Sequence, residues 1–215
     1  MRRGVAIAVF AVTIAGCASD GGLPDASLMV RNAALAMGGV TSAHVVLEAD
    51  GPVPGLPVRR IDADVTTGNP SAAKGRIEPL VGSSLEFVQV GADLYAKDPA
   101  GNYARSNRQG PPSLLTSGSG IAGLLGDVRD PVTAGREDRD GIDSFKVTGV
   151  VPAADVGKLL PGAATDATFT IWLRVKGTHL PVDTTLTFPG TTGVLHIKVS
   201  DINKKITISP PEVTG

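Results

Sequence analysis

From Ser42 onward the chain alternates apolar and polar residues with a period of two. Val45, Leu47 and Ala49 alternate with His44, Val46 and Glu48, and Ile61, Ala63 and Val65 alternate with Arg60, Asp62 and Asp64. That period places one set of side chains on a buried face and the other in water, which is the mark of a half-buried β-strand. Similar runs at 74–81, 84–90, 94–97, 144–149, 168–176, 182–188, 194–200 and 205–209 predict further strands. The connection GPVPGLP at 51–57, with three prolines and two glycines, is a turn or an extended edge.

Helical spacing appears in three places. Residues 25–37 carry Leu28, Ala33, Leu35 and Met37 among polar residues, with Asp25 or Ser27 as N-cap and Gly38-Gly39 as the stop. Residues 112–128, interrupted by glycines, and 153–160 predict two more helices. Strands joined by short turns pair antiparallel, because a parallel pair needs a crossover of a dozen or more residues. The expected architecture is therefore α+β: one large antiparallel sheet with a few helices on one face.

The first residues read differently. Arg2 and Arg3 precede an uncharged apolar run from Gly4 to Gly16, thirteen residues, which is shorter than the roughly 20 that a membrane-spanning helix needs. The run has the length of a signal peptide. It ends in Ile14-Ala15-Gly16-Cys17, which resembles a bacterial lipobox, and Cys17 is the single cysteine of the chain. Cys17 reads as a lipidation site; as an unmodified residue it would be a small apolar side chain at the end of a secretion signal. The expected organisation is a signal peptide at 1–16, an acylated Cys17 with a short polar tether to residue 24, and one folded domain over 25–215. Two acyl chains at about 0.8 kcal/mol per buried methylene would hold it on the outer face of the plasma membrane.

Without the signal peptide the chain carries 18 Lys and Arg against 21 Asp and Glu, so nothing points to nucleic acid. With Cys17 modified no thiol is left for a disulfide, and about 200 residues suffice for a core of their own. Candidate chemistry is sparse. GSGIAG at 118–123 has the G-x-G-x-x-G spacing of a dinucleotide loop, but Gly110-Pro111-Pro112 stands where a central strand should lead into it. No serine lies in G-x-S-x-G, and the three histidines show no metal-ligand spacing, so neither a catalytic site, a metal nor a cofactor is expected. GREDRDG at 135–141 lacks the order of a calcium loop and reads as a solvated turn. Arg59-Arg60 and Lys204-Lys205 suit either anionic head groups or edge-strand protection. Only eight aromatic residues occur, and a lining of Val, Leu, Ile and Ala suits acyl chains and an ordinary core equally.

Several segments together resemble the LppX/LprAFG family of mycobacterial and related actinobacterial lipoproteins. They are LPDA at 23–26, SAHVVLEADGPVPGLPVRRIDADVTTGNPSAAKG at 42–75, DLYA at 93–96, GIAGLL at 120–125, GREDRDG at 135–141, KVTGVVPAADV at 146–156 and TIWL at 170–173. The resemblance implies a sheet curved as a half-barrel, with helices on its concave face enclosing an apolar cavity. It implies a cargo of di- or triacylated envelope lipids such as phosphatidylinositol mannosides, lipoglycans or triacylglycerol. It further implies carriage from the plasma membrane toward the outer envelope, in one member together with a major facilitator efflux pump.

Matched by segment, Ile77 falls on the strand at the family's cavity mouth. The inward periods add Ile61, Ala63 and Val65, then Val88 and Val90, Phe145 and Val147, and Ile171 and Leu173. A short apolar helix with Ile121, Leu124 and Leu125 would face the same cavity. A register shifted by one would put Phe87 and Gln89 in place of Val88 and Val90. Between Asn102 and Gly120 the chain departs from the family, with a shortened Gly- and Ser-rich run at the expected entrance. A non-catalytic scaffold or accessory subunit without lipid cargo is the competing reading, and an enzyme of lipid metabolism a distant third.

Overall fold

The computed structural model describes residues 22–107 and 120–213. Cys17 and residues 108–119, which include most of the Asn102–Gly120 departure and the start of the expected 112–128 helix, lie outside them. Helix α1 spans Ala26–Gly38, and the Asp25 carboxylate caps it by accepting the Leu28 backbone N–H at 2.7 Å. Strands β1 (Ser42–Asp50), β2 (Val58–Thr66), β3 (Ala72–Pro79), β4 (Leu85–Val90), β5 (Asp93–Lys97) and β6 (Tyr103–Ser106) follow. Then come α2 (Ile121–Gly126), β7 (Arg129–Arg139), β8 (Ile142–Val151), α3 (Ala153–Leu159), β9 (Ala167–Arg174), β10 (Pro181–Thr187) and β11 (Val194–Ser200). The strands form one sheet in the order β6-β5-β4-β3-β2-β1-β11-β10-β9-β8-β7, with every ladder antiparallel.

Register turns the period of two into a surface. Leu85, Ile77, Ile61, Leu47, Ile197, Thr184, Ile171, Val147 and Thr133 stand in consecutive register across nine strands, from β4 to β7. On one side of this row lies Phe87-Gly75-Ala63-Val45-Val199, and on the other Ala49-Leu195-Leu186-Phe169-Gly149. None of these positions carries a charge. Buried residues of α1, α2 and α3 join these rows in one hydrophobic cluster, so the helices cover the apolar face. By backbone approach α1 packs mainly on α2 and on edge strand β7, and α2 also meets α3.

Two strands depart from the sequence reading. Residues 135–139, expected as part of a solvated turn, belong to β7; only Asp140 and Gly141 make the turn into β8. Strand β7 is an edge with solvent on much of its surface, and its register shifts twice, so it shows no apolar period. Its tip folds across the outer face of the sheet. Arg139 donates two hydrogen bonds to Asp183 on β10, one of them at 2.9 Å from Nε, and its guanidinium lies 4.1 Å from the Trp172 ring. Trp172 Nε1 donates to Glu137 Oε1 at 2.5 Å, and Lys198 Nζ to Asp140 at 2.6 Å. Conversely, 205–209 alternates as a strand would but joins no ladder; Ile206 and Ile208 are only half-buried.

Gly75, in the middle of β3, is required by a close approach. A Cβ there would stand 2.1 Å from the Asp62 carbonyl oxygen and 2.6 Å from the Ala63 Cα, both backbone atoms of β2 that cannot swing away. Gly75→Ala is expected to destabilise the fold by about 3 kcal/mol, the upper part of the usual range for overpacking. Urea denaturation measures this, and wild-type stability in the variant would refute the close approach.

Exposed ion pairs of the β7–β8 hairpin give the stability a definite pH sign. The hydrogen bond from Lys198 holds the Asp140 carboxyl below its ordinary value, and that from Arg136 does the same to Asp143. A depressed folded-state value contributes stability above the unfolded carboxylate value, near 4, and that contribution is lost as pH falls through the folded value. Thermal melting temperature is therefore expected to be flat from about pH 7 to 5 and to drop below about pH 4. Asp140→Asn combined with Asp143→Asn should flatten that drop.

Candidate functional site: the inner apolar face

The inner face is not uniform in its exposure. On β1 and β9 to β11, Val45, Leu47, Ile171, Leu173, Leu186 and Leu195 are wholly buried. On the wing formed by β2 to β4, Val58, Val65, Ala73 and Ile77 pack against the same cluster but are only half-buried, as is Leu85. Phe145 and Leu180 are half-buried at the other side, and Ala34 of α1 and Ala122 of α2 on the helical side. The strand period thus builds an apolar surface that is closed at its centre and partly open on the β2–β4 wing.

Most of the expected residues meet on this face. Ile61, Ala63, Ile121, Leu124, Leu125, Val147, Ile171 and Leu173 belong to the central cluster, and Val65, Ile77 and Phe145 pack on it. Val88 and Val90 do not. Val88 is in register with Lys74, which pairs with Asp64 opposite His44, so it belongs to the outer, polar face. Val90 pairs with Ala72 and Asp93 on that same face. Phe87, opposite Gly75, holds the inward position and is wholly buried. The sequence carried a signal for this: Glu86, Val88 and Val90 share one face of a strand, and a charge at the first of them directs that face outward. Val88 is nevertheless buried, beside Tyr95 on the outer side, close to where Val213 bridges to Tyr103 of β6.

The polar groups offer little chemistry. His44 Nδ1 lies 2.9 Å from Asp64 and Nε2 lies 3.4 Å from Asp62, so both ring nitrogens face carboxylates and neither is left to activate Ser200 across the register. His179 Nδ1 pairs with the Arg174 carbonyl in a turn. Among the described residues no group of His, Cys, Asp and Glu could hold a metal ion. Arg60 pairs with Glu48 and Asp62 on the outer face, and Lys204 pairs with Asp201. No helix among the described residues is long and apolar enough to cross a membrane.

An α+β chain built as one open antiparallel sheet with a continuous apolar face has the features of a fold that binds apolar matter. The family description "LppX_LprAFG lipoprotein" matches residues 25–208, and the chain belongs to that family. The lipoarabinomannan carrier protein LprG of Mycobacterium tuberculosis is 28% identical, over 97% of this chain and 94% of that protein. The protein of the same name from Mycobacteroides abscessus is 30% identical, over 96% and 95%. Among solved structures, LprF from Mycobacterium bovis superposes with a TM-score of 0.76 at 24% identity, covering 88% of this chain and 98% of that one. LppX from Mycobacterium tuberculosis gives 0.69 at 28% identity, covering 85% and 97%.

The face assignment of β4 is checked by a pair of substitutions. Phe87→Ala should lower stability by about 3 to 5 kcal/mol, as for a core aromatic. Val90→Thr, on the outer face, should cost less than about 1 kcal/mol. Equal losses in urea denaturation would return Val90 to the inner face.

Proposed function

We propose that the protein is a membrane-anchored carrier that holds the acyl chains of di- or triacylated envelope lipids against its inner face and conveys them from the plasma membrane toward the outer envelope. The observation that carries this reading is the uncharged row across nine strands, in which Ile61 on β2 is buried but Ile77 on β3 and Leu85 on β4 are only half-buried. Two relatives at 28% and 30% identity are named as lipoarabinomannan carriers, which supports a glycolipid with acyl chains as cargo. Ile61, Ala63, Val65, Ile77 and Phe87 on the wing, with Ile121, Leu124 and Leu125 of α2 opposite, are the proposed lining. Phe145, Val147, Ile171 and Leu173 extend it across the sheet. Cys17 is the proposed anchor.

Energetics set the role. Shielding a chain of about 16 carbons from water is worth roughly 12 kcal/mol, but the bilayer offers nearly the same, so extraction is close to neutral. Such a carrier lowers the barrier without setting direction, and an exporter of the major facilitator type is the proposed source of direction. The wholly buried centre of the face favours a second reading, an accessory subunit without cargo, and one experiment separates them. Protein with Cys17→Ala, purified from its own host, should release acylated lipid on extraction. Ile77→Trp should weaken binding of a fluorescent diacyl lipid about tenfold, equivalent to about 1.4 kcal/mol, with an unchanged melting temperature. Absence of co-purified lipid together with unaltered binding in Ile77→Trp would leave the accessory-subunit reading.

A further inference from the structure

The apolar residues that remain exposed are not scattered evenly. Leu28 and Leu35 of α1 are 55% and 72% exposed, and a separation of seven residues places them on one stripe of the helix. Between them Arg31 and Asn32 are also exposed, and among the described residues no hydrogen bond or ion pair engages the Arg31 guanidinium. Leu23, just before the helix, is half exposed. A leucine stripe interrupted by a free arginine is the composition of an interfacial helix face, where the leucines enter the acyl boundary and the cation meets lipid phosphate.

The route of the chain says what covers this face. The Pro24 carbonyl accepts a hydrogen bond from Thr133 Oγ1 of β7 at 2.6 Å, so the chain just before α1 is tied to the junction of α1 and β7. Cys17 precedes Pro24 by seven residues, which reach about 25 Å at full extension and less when relaxed. A lipid at Cys17 therefore brings this junction, and with it Leu23 and Leu28, to the bilayer before any other part of the domain. From these observations we infer that the exposed stripe of α1, with Leu23, is the surface that lies on the phospholipid membrane. The inference rests on the proposed anchor at Cys17. It orients the domain so that the helical layer faces the bilayer and the polar outer face of the sheet points away from it.

The test uses the full chain, produced in a host that acylates lipoproteins and reconstituted into vesicles of phosphatidylcholine and phosphatidylglycerol. Acylation occupies the Cys17 thiol, so single cysteines introduced as Leu28→Cys, Leu35→Cys and Glu48→Cys can each be labelled with an environment-sensitive fluorophore. Labels at 28 and 35 are expected to brighten at least about twofold and shift to the blue on reconstitution, as for transfer from water to an interface. The label at 48, on the outer face, should not change. Labels at 28 and 35 that stay as wet as that at 48, in protein that floats with the vesicles, overturn the assignment. A response at Val81→Cys, in the β3–β4 turn, without one at 28 and 35 also overturns it. Protein that does not float with the vesicles overturns the anchor and this orientation together. Uptake of a fluorescent diacyl lipid by the same samples reports on the carrier reading separately. Leu28→Glu combined with Leu35→Glu should slow lipid uptake from vesicles about tenfold while leaving binding of detergent-dispersed lipid unchanged.

Discussion

An open antiparallel sheet with one apolar face must cover that face, and the rest of this molecule follows from how it does so. Nine strands contribute to a single uncharged row, far more surface than three short helices can shield by direct contact. The centre of the face is closed by the central cluster itself, in which side chains of α1, α2 and α3 meet those of the sheet. Toward β3 and β4 the cover is thinner, and Ile77 and Leu85 of the same row are only half-buried. Apolar surface left partly open in this way is worth roughly 25 cal/mol per Å² to whatever apolar group covers it.

The outer face solves the opposite problem. It meets water, so its stability comes from pairs of side chains rather than from burial. The β7–β8 tip is pinned by Arg139 on the buried Asp183, with Trp172 stacked beneath the guanidinium, and by Lys198 on Asp140. One Asp183 oxygen has no hydrogen-bond partner among the described residues, and within them the arginine compensates that carboxylate incompletely. A buried charge pair of this kind adds little net stability over an apolar core, but it fixes which residues the hairpin tip can meet. The sheet edge that the helices pack against is thereby held in one position.

Much of this was legible along the chain wherever a strand is wet on one side and dry on the other. The alternation at 44–49 and 60–65 announced β1 and β2 and their inward faces, and the fold pairs them with Leu47 opposite Ile61. The signal failed where that asymmetry is missing. Strand β7 is exposed on much of both faces, so its residues Arg136 to Arg139 look like a loop. On β4 both Phe87 and Val88 are buried, one on each face, and only the charge of Glu86 tells them apart. Residues 205–209 alternate as a strand does yet find no ladder, because the neighbouring edges of β1 are already taken by β2 and β11. On the candidate surface the same alternation made Ile61, Ala63, Val65, Ile77, Phe145, Val147, Ile171 and Leu173 legible as inward positions, while Val88 and Val90 of β4 point outward.

By itself the sequence determined the local choices: the period of the strands, the turn positions, and the start of α1 at a cap that is either Asp25 or Ser27. These depend on residues close together in the chain, where covalent geometry and water decide the outcome. Only the tertiary structure decided that Thr133, Val147, Ile171, Ile197, Leu47 and Ile77 form one surface, that Gly75 must lack a side chain, and that Pro24 is tied to β7 beside an exposed leucine stripe. Those facts arise from pairing between segments far apart in sequence, and a period of two specifies which face of a strand is buried but not which strand will lie beside it.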